Sequence, residues 1–187
     1  MNNRRLFRPR ERGNAPSLHP MMQRANELMA IENYTGAARA FENMAKAANS
    51  RNRPAAPHLY IQAGRAKILA GQIPDGIVHI QTALKLFAER AEWLKFRRNR
   101  RRVVRELRES GHENEANELM NFMADELPAD IDATGNESQF DPKPGARTRA
   151  TLPVKCQECG APLRIDEVEF VDENTAECPY CGNLIRS

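Results

Sequence analysis

The chain has 187 residues, 41% hydrophobic but only 6% aromatic, with a formal charge of +3. That length suits one modest domain with a small appendage and excludes two large cores; the scarcity of aromatics favours a helical core. No apolar run approaches the ~20 residues of a membrane span, and the four cysteines form two close pairs near the C-terminus, a pattern of metal binding rather than of a disulfide framework.

The charge is unevenly placed. Residues 1–127 carry 22 Lys and Arg against 14 Asp and Glu, and residues 128–187 carry 6 against 11. A basic front and an acidic tail point to an anionic partner for the front, to contact between the halves, or to a generally arginine-rich composition. Residues 1–16 read as a disordered basic leader with Arg4, Arg5, Arg8 and Arg10. It has no apolar segment of the kind a signal peptide needs, so a cytoplasmic protein is expected.

Residues 17–127 form the next region. Apolar residues recur at helical spacing, as in Met22, Ala25, Leu28 and Met29 and again in Ile77, Ile80, Leu84 and Phe87. Breakers at Pro54 to Pro57, at Gly71 with Pro74 and at Gly111 divide the run into five or six helices. The segments ENYTGAARAFENMA, GQIPDGIVHIQTAL and GHENEANELMNFMA align without gaps. Each has a small residue at its sixth position (Ala37, Gly76, Ala116) and a large apolar one at its tenth (Phe41, Ile80, Met120). A repeated helix–turn–helix unit of this length implies a solenoid, because each helix pair buries its apolar face only against its neighbours. Over residues 18–128 the pattern resembles the tetratricopeptide repeat family, although the units exceed that family's ~34 residues and lack its helix-start tryptophan. Another α-hairpin solenoid fits the same residues. The expected fold class is mainly α, with about three helical hairpins.

Within this region LKFRRNRRRVVREL, residues 94–107, holds seven basic residues and one acid. On a wheel of ~100° per residue, Trp93, Phe96, Val103, Val104 and Leu107 share one arc and Arg98, Arg101, Arg102, Arg105 and Arg108 another. Arg100 falls among the apolar residues, where it is expected to snorkel from the core edge or to pair with a buried acid. The repeat resemblance implies that the first helix of each unit lines a binding groove. It also implies that Asn26, Arg98 and Arg102 match in kind the clamp with which some members hold a peptide's terminal carboxylate. Gln62 is a longer substitute there, and Met22 replaces a lysine. The expected partner-binding set is Asn26, Gln62, Arg65, Arg98, Arg101, Arg102, Arg105 and Arg108; the plain alternative is a solvated basic face.

Residues 128–153 are rich in Pro, Gly and polar residues and read as a flexible linker. The DIDAT stretch within it resembles a phosphatase nucleophile motif and the longer DIDATGNESQFD loosely mimics a calcium loop, but no buried strand supports the first and no exiting helix the second.

Residues 154–187 contain Cys156, Cys159, Cys178 and Cys181, two C-x2-C pairs separated by eighteen residues, within the range of structural zinc sites. Ile165, Val168, Phe170 and Val171 before a polar 172–174 turn suit a small β-hairpin. This segment resembles the zinc ribbon family. Four thiolates around one structural zinc ion leave no position open for a reacting water. The acids Asp166, Glu167, Glu169, Asp172 and Glu173 do not suit a nucleic-acid surface.

No catalytic motif occurs, and His19, His58, His79 and His112 are scattered among helices, so no enzymatic activity is expected. The sequence reads as a protein–protein interaction adaptor or scaffold that binds an acidic peptide or protein segment in an Arg-lined groove, with the ribbon as second contact module. The alternative is a sequence-nonspecific nucleic-acid-binding protein that uses helix 95–108 and the leader. In a third reading the acidic tail folds into the protein's own groove. Self-association through the exposed ends of so short an array is also consistent with the sequence.

Overall fold

The computed structural model describes residues 18–124 and, near the C-terminus, 152–157, 159–163, 165, 168–170, 174–178 and 180–186. The leader, the linker up to residue 151 and the acids Asp166, Glu167, Asp172 and Glu173 lie outside the described residues. Six helices come first: α1 (Leu18–Ala30), α2 (Tyr34–Asn49), α3 (Ala56–Leu69), α4 (Ile73–Glu89), α5 (Trp93–Glu109) and α6 (Glu113–Asn121). A small antiparallel sheet follows, in the order β1 (Glu169–Phe170), β2 (Thr175–Glu177) and β3 (Leu184–Arg186). The expected hairpin is the β1–β2 pair, with Phe170 opposite Ala176, and a third strand extends it by pairing Ile185 with Ala176.

Helices α1 to α5 end alike. One residue enters the left-handed region (Glu32, Asn52, Gly71, Ala91 or Gly111), and the next amide reaches five residues back. Asn33 N–H donates to the Leu28 carbonyl, and Gln72, Glu92 and His112 donate to Lys67, Phe87 and Leu107, each at 2.9 Å. This closure satisfies carbonyls that the helix end leaves open and turns the chain straight into the next helix. Each helix therefore packs on its neighbour in sequence, and α4 also meets α6.

The repeated small residues lie at the contacts. Ala37 and Ala116 are fully buried. A Cβ on Gly76 would lie 2.8 Å from the Gly64 carbonyl oxygen and 2.6 Å from Ile68 Cγ1, so α3 and α4 approach backbone to backbone. Phe41 and Ile80 fill the core as the repeat implies. In the third unit the pattern slips by one: Met120 is exposed and Leu119 takes the buried place.

Arg100 does not snorkel to the core edge. Its side chain is buried, with the guanidinium 5.3 Å from the Phe96 ring centroid, and its Nη1 donates to the carbonyls of Met120 (3.2 Å) and Phe122 (3.4 Å). Arg100 thus supplies a charge-assisted cap to the C-terminal end of α6. No helix among the described residues is long and apolar enough to cross a membrane.

Candidate metal centre and its seat on the helices

Two matching turns carry the cysteines. In the first, Gly160 N–H donates to the Cys156 carbonyl (2.8 Å) and Cys156 N–H to Ala161 (2.9 Å). In the second, Gly182 N–H donates to Cys178 (2.9 Å) and Cys178 N–H to Asn183 (2.8 Å). Gly160 and Gly182 have φ of 71° and 74°, conformations that L side chains rarely adopt. Each turn aims both of its sulfurs inward.

All four cysteines are free and buried, with their sulfurs within 4.8 Å of one another. The Cys156–Cys181 and Cys159–Cys178 separations are 3.8 Å each, far beyond a disulfide bond of ~2.05 Å. Hydrogen bonding with Cys159 lowers the Cys156 thiol below its ordinary value, and hydrogen bonding with Cys156 raises Cys159 and Cys181. The sulfurs thus compete for protons, and a cation bound among them would displace those protons and hold the thiolates together. The donor set is compatible with a metal site.

The cysteine turns rest on the helices. From α1, Asn26 Nδ2 donates to the Cys159 carbonyl at 2.8 Å, and the Gln23 side chain lies where a Cβ on Gly160 would come within 3.0 Å. From α3, the buried His58 ring meets Gly182 so closely that a Cβ there would lie 2.6 Å from Nε2. From α5, the Arg102 guanidinium lies 5.7 Å from the Tyr180 ring centroid. Between these contacts sits Glu177, 8% exposed. Its carboxylate is 3.4 Å from Lys95 Nζ, 3.7 Å from Arg98 Nη2 and 3.5 Å from His58 Nε2. Burial, then the positive charges of Lys95, Arg98 and Arg90, push the His58 imidazole down to about 3. The ring is therefore neutral near pH 7, and Lys95 and Arg98 balance Glu177.

No protein-family model, curated protein or solved structure matches the chain.

The arginine stripe is thus divided. Arg98 and Arg102 turn to the C-terminal unit, and Arg102 also pairs with Glu106 at 3.2 Å. Arg65 holds Glu106 through two contacts of 2.9 Å, which joins α3 to α5. Gln62 is buried, and its Nε2 has no hydrogen-bond partner among the described residues. Arg108 binds Glu113 (3.2 Å) and Asn117 (3.1 Å) across the α5–α6 turn. Arg101 and Arg105, one turn apart, are exposed. Sequence reasoning missed Glu177, Lys95 and Tyr180. Glu177 directly precedes Cys178 in a polar stretch, and only its distances to His58, Lys95 and Arg98 show that it faces the helices.

Proposed function

We propose that the protein is a non-enzymatic interaction adaptor: a tetratricopeptide-like array of helical hairpins that carries a zinc ribbon on its first-helix face and binds an acidic protein segment through the outer side of α5. The observation that carries this reading is the division of the arginines. Arg101 and Arg105 are exposed and have no ion-pair partner among the described residues, while their neighbours are committed to internal contacts. Guanidinium forks with no internal acid suit carboxylates of a partner.

Zinc is the ion that fits the donors. Four sulfurs around zinc at ~2.3 Å form a tetrahedron with edges of about 3.8 Å, the spacing of the Cys156–Cys181 and Cys159–Cys178 pairs. In a closed four-thiolate shell zinc supplies structure and leaves no site for a reacting water, which supports the non-enzymatic reading.

The exposed arginines also suit phosphates, so the test separates two partner classes. Fluorescence anisotropy of a labelled Glu- and Asp-rich peptide is expected to show saturable binding, weakened at least ~10-fold by Arg101→Glu with Arg105→Glu at about 1 kcal/mol per lost contact. Random single-stranded RNA is expected to bind more weakly at physiological salt. Tight RNA binding with a steep salt slope that the same variant abolishes would instead make α5 a phosphate grip.

A further inference from the structure

The C-terminal unit adds Cys156, Cys159, Ala161, Cys178, Cys181 and Ile185 to the buried core of the helices, and its polar and close backbone contacts with them have one thing in common. The Cys159 carbonyl, Gly160, Glu177, Tyr180 and Gly182 are each a cysteine of the cluster or its close neighbour in sequence. The seat is therefore built from the two cysteine turns, whose shape depends on four sulfurs meeting at one point. On the other side it covers polar side chains from three helices: Asn26 on α1, His58 on α3, and Lys95, Arg98 and Arg102 on α5.

We infer that metal loading is the latch that keeps the C-terminal unit on the α1/α3/α5 face, and that metal loss uncovers a basic and amide-lined surface there. About thirty residues with so small a sheet bury too little surface to hold this shape unaided. Without the ion, the Cys159 carbonyl and Glu177 lose their fixed positions opposite Asn26 and Lys95. Glu177 meets Lys95 and Arg98 at 3.4 and 3.7 Å, longer than the ~2.8 Å of a strong charge-assisted hydrogen bond, so these pairs depend on the turns that hold the carboxylate in place. The uncovered face carries Lys95, Arg98 and Arg102 and suits a carboxylate-rich segment. The inference thus extends the acidic-partner reading, with metal as the control on a second basic surface.

The test needs no partner. Full-length reduced protein, loaded with one equivalent of Zn2+ or treated with a chelator, is labelled with an amine-acylating reagent and the rate at each lysine is read by mass spectrometry. Lys95 is expected to label several-fold faster in the chelated protein, while Lys46 on α2, away from the seat, keeps its rate and the helical circular dichroism is unchanged. Asn26→Asp, which sets a carboxylate against the Cys159 carbonyl and leaves every cysteine in place, is expected to raise Lys95 labelling in the zinc-loaded protein. Equal Lys95 rates with and without zinc, or an Asn26→Asp rate equal to that of the unaltered zinc-loaded chain, would overturn the latch. Failure here would leave the Arg101/Arg105 reading intact, and failure of peptide binding would leave the latch intact.

Discussion

A buried imidazole beside a buried carboxylate makes position 58 sensitive to acid. The unfolded chain takes up a proton at His58 near its ordinary pKa of ~6.5, whereas in the folded protein the ring resists protonation down to about 3, first through burial and then through Lys95, Arg98 and Arg90. Its folded pKa is lowered, so below pH ~6.5 the unfolded state binds the extra proton and stability falls as the pH drops. Urea unfolding in excess zinc is expected to lose about 1 kcal/mol per pH unit from this group between pH 6 and pH 5. His58→Gln should flatten that slope; an unchanged slope would show that His58 is not the group that titrates. Arg98 matters for a related reason: it faces a carboxylate that is only 8% exposed, and Arg98→Ala, which leaves Lys95 as the counter-charge, should cost about 1 kcal/mol in urea unfolding of the zinc-loaded protein.

At the scale of the helices, stability depends on how they end and how closely they approach. Ala91 holds φ at 55° in the turn where Gly71 and Gly111 serve the equivalent ends. Ala91→Gly should therefore raise stability by about 0.5–1 kcal/mol in thermal or urea unfolding. Gly64→Ala should do the reverse. It gains about 1 kcal/mol of helix propensity but drives a methyl to within 2.7 Å of the Gly76 carbonyl oxygen, an overpacking cost of about 1–3 kcal/mol. The same features decide what was legible in the sequence. Helix breaks at Gly71 and Gly111 announce themselves, whereas those at Glu32 and Ala91 carry neither glycine nor proline and are held by hydrogen bonds that become visible only in three dimensions. The small and large positions of the repeat are plain for Ala37 with Phe41 and for Gly76 with Ile80. They fail at Met120, where α6 stops after nine residues and packing selects Leu119. The cysteine spacing shows outright the four thiols that cluster. The occupant of the first-helix face is not legible locally, because Asn26 and Cys159 lie 133 positions apart and no local period links them.

In the whole molecule the buried core runs from Met22 to Leu119 and continues into the C-terminal unit at the four cysteines, Ala161 and Ile185, while the sheet itself has strands of only two or three residues and too little surface to hold its shape unaided. Chelation should therefore remove the β-structure and leave the helical signal almost intact, a change measurable by far-ultraviolet circular dichroism. The latch, and the zinc ribbon of the adaptor reading, rest on a tetrahedral four-thiolate centre. The most direct test is a cobalt(II) titration of the reduced full-length chain, followed by absorbance and displaced by zinc. The account predicts saturation at one equivalent, thiolate charge-transfer bands with the intense visible bands of tetrahedral cobalt, and complete displacement by one equivalent of zinc. Weak octahedral bands, or no saturable binding, would contradict it.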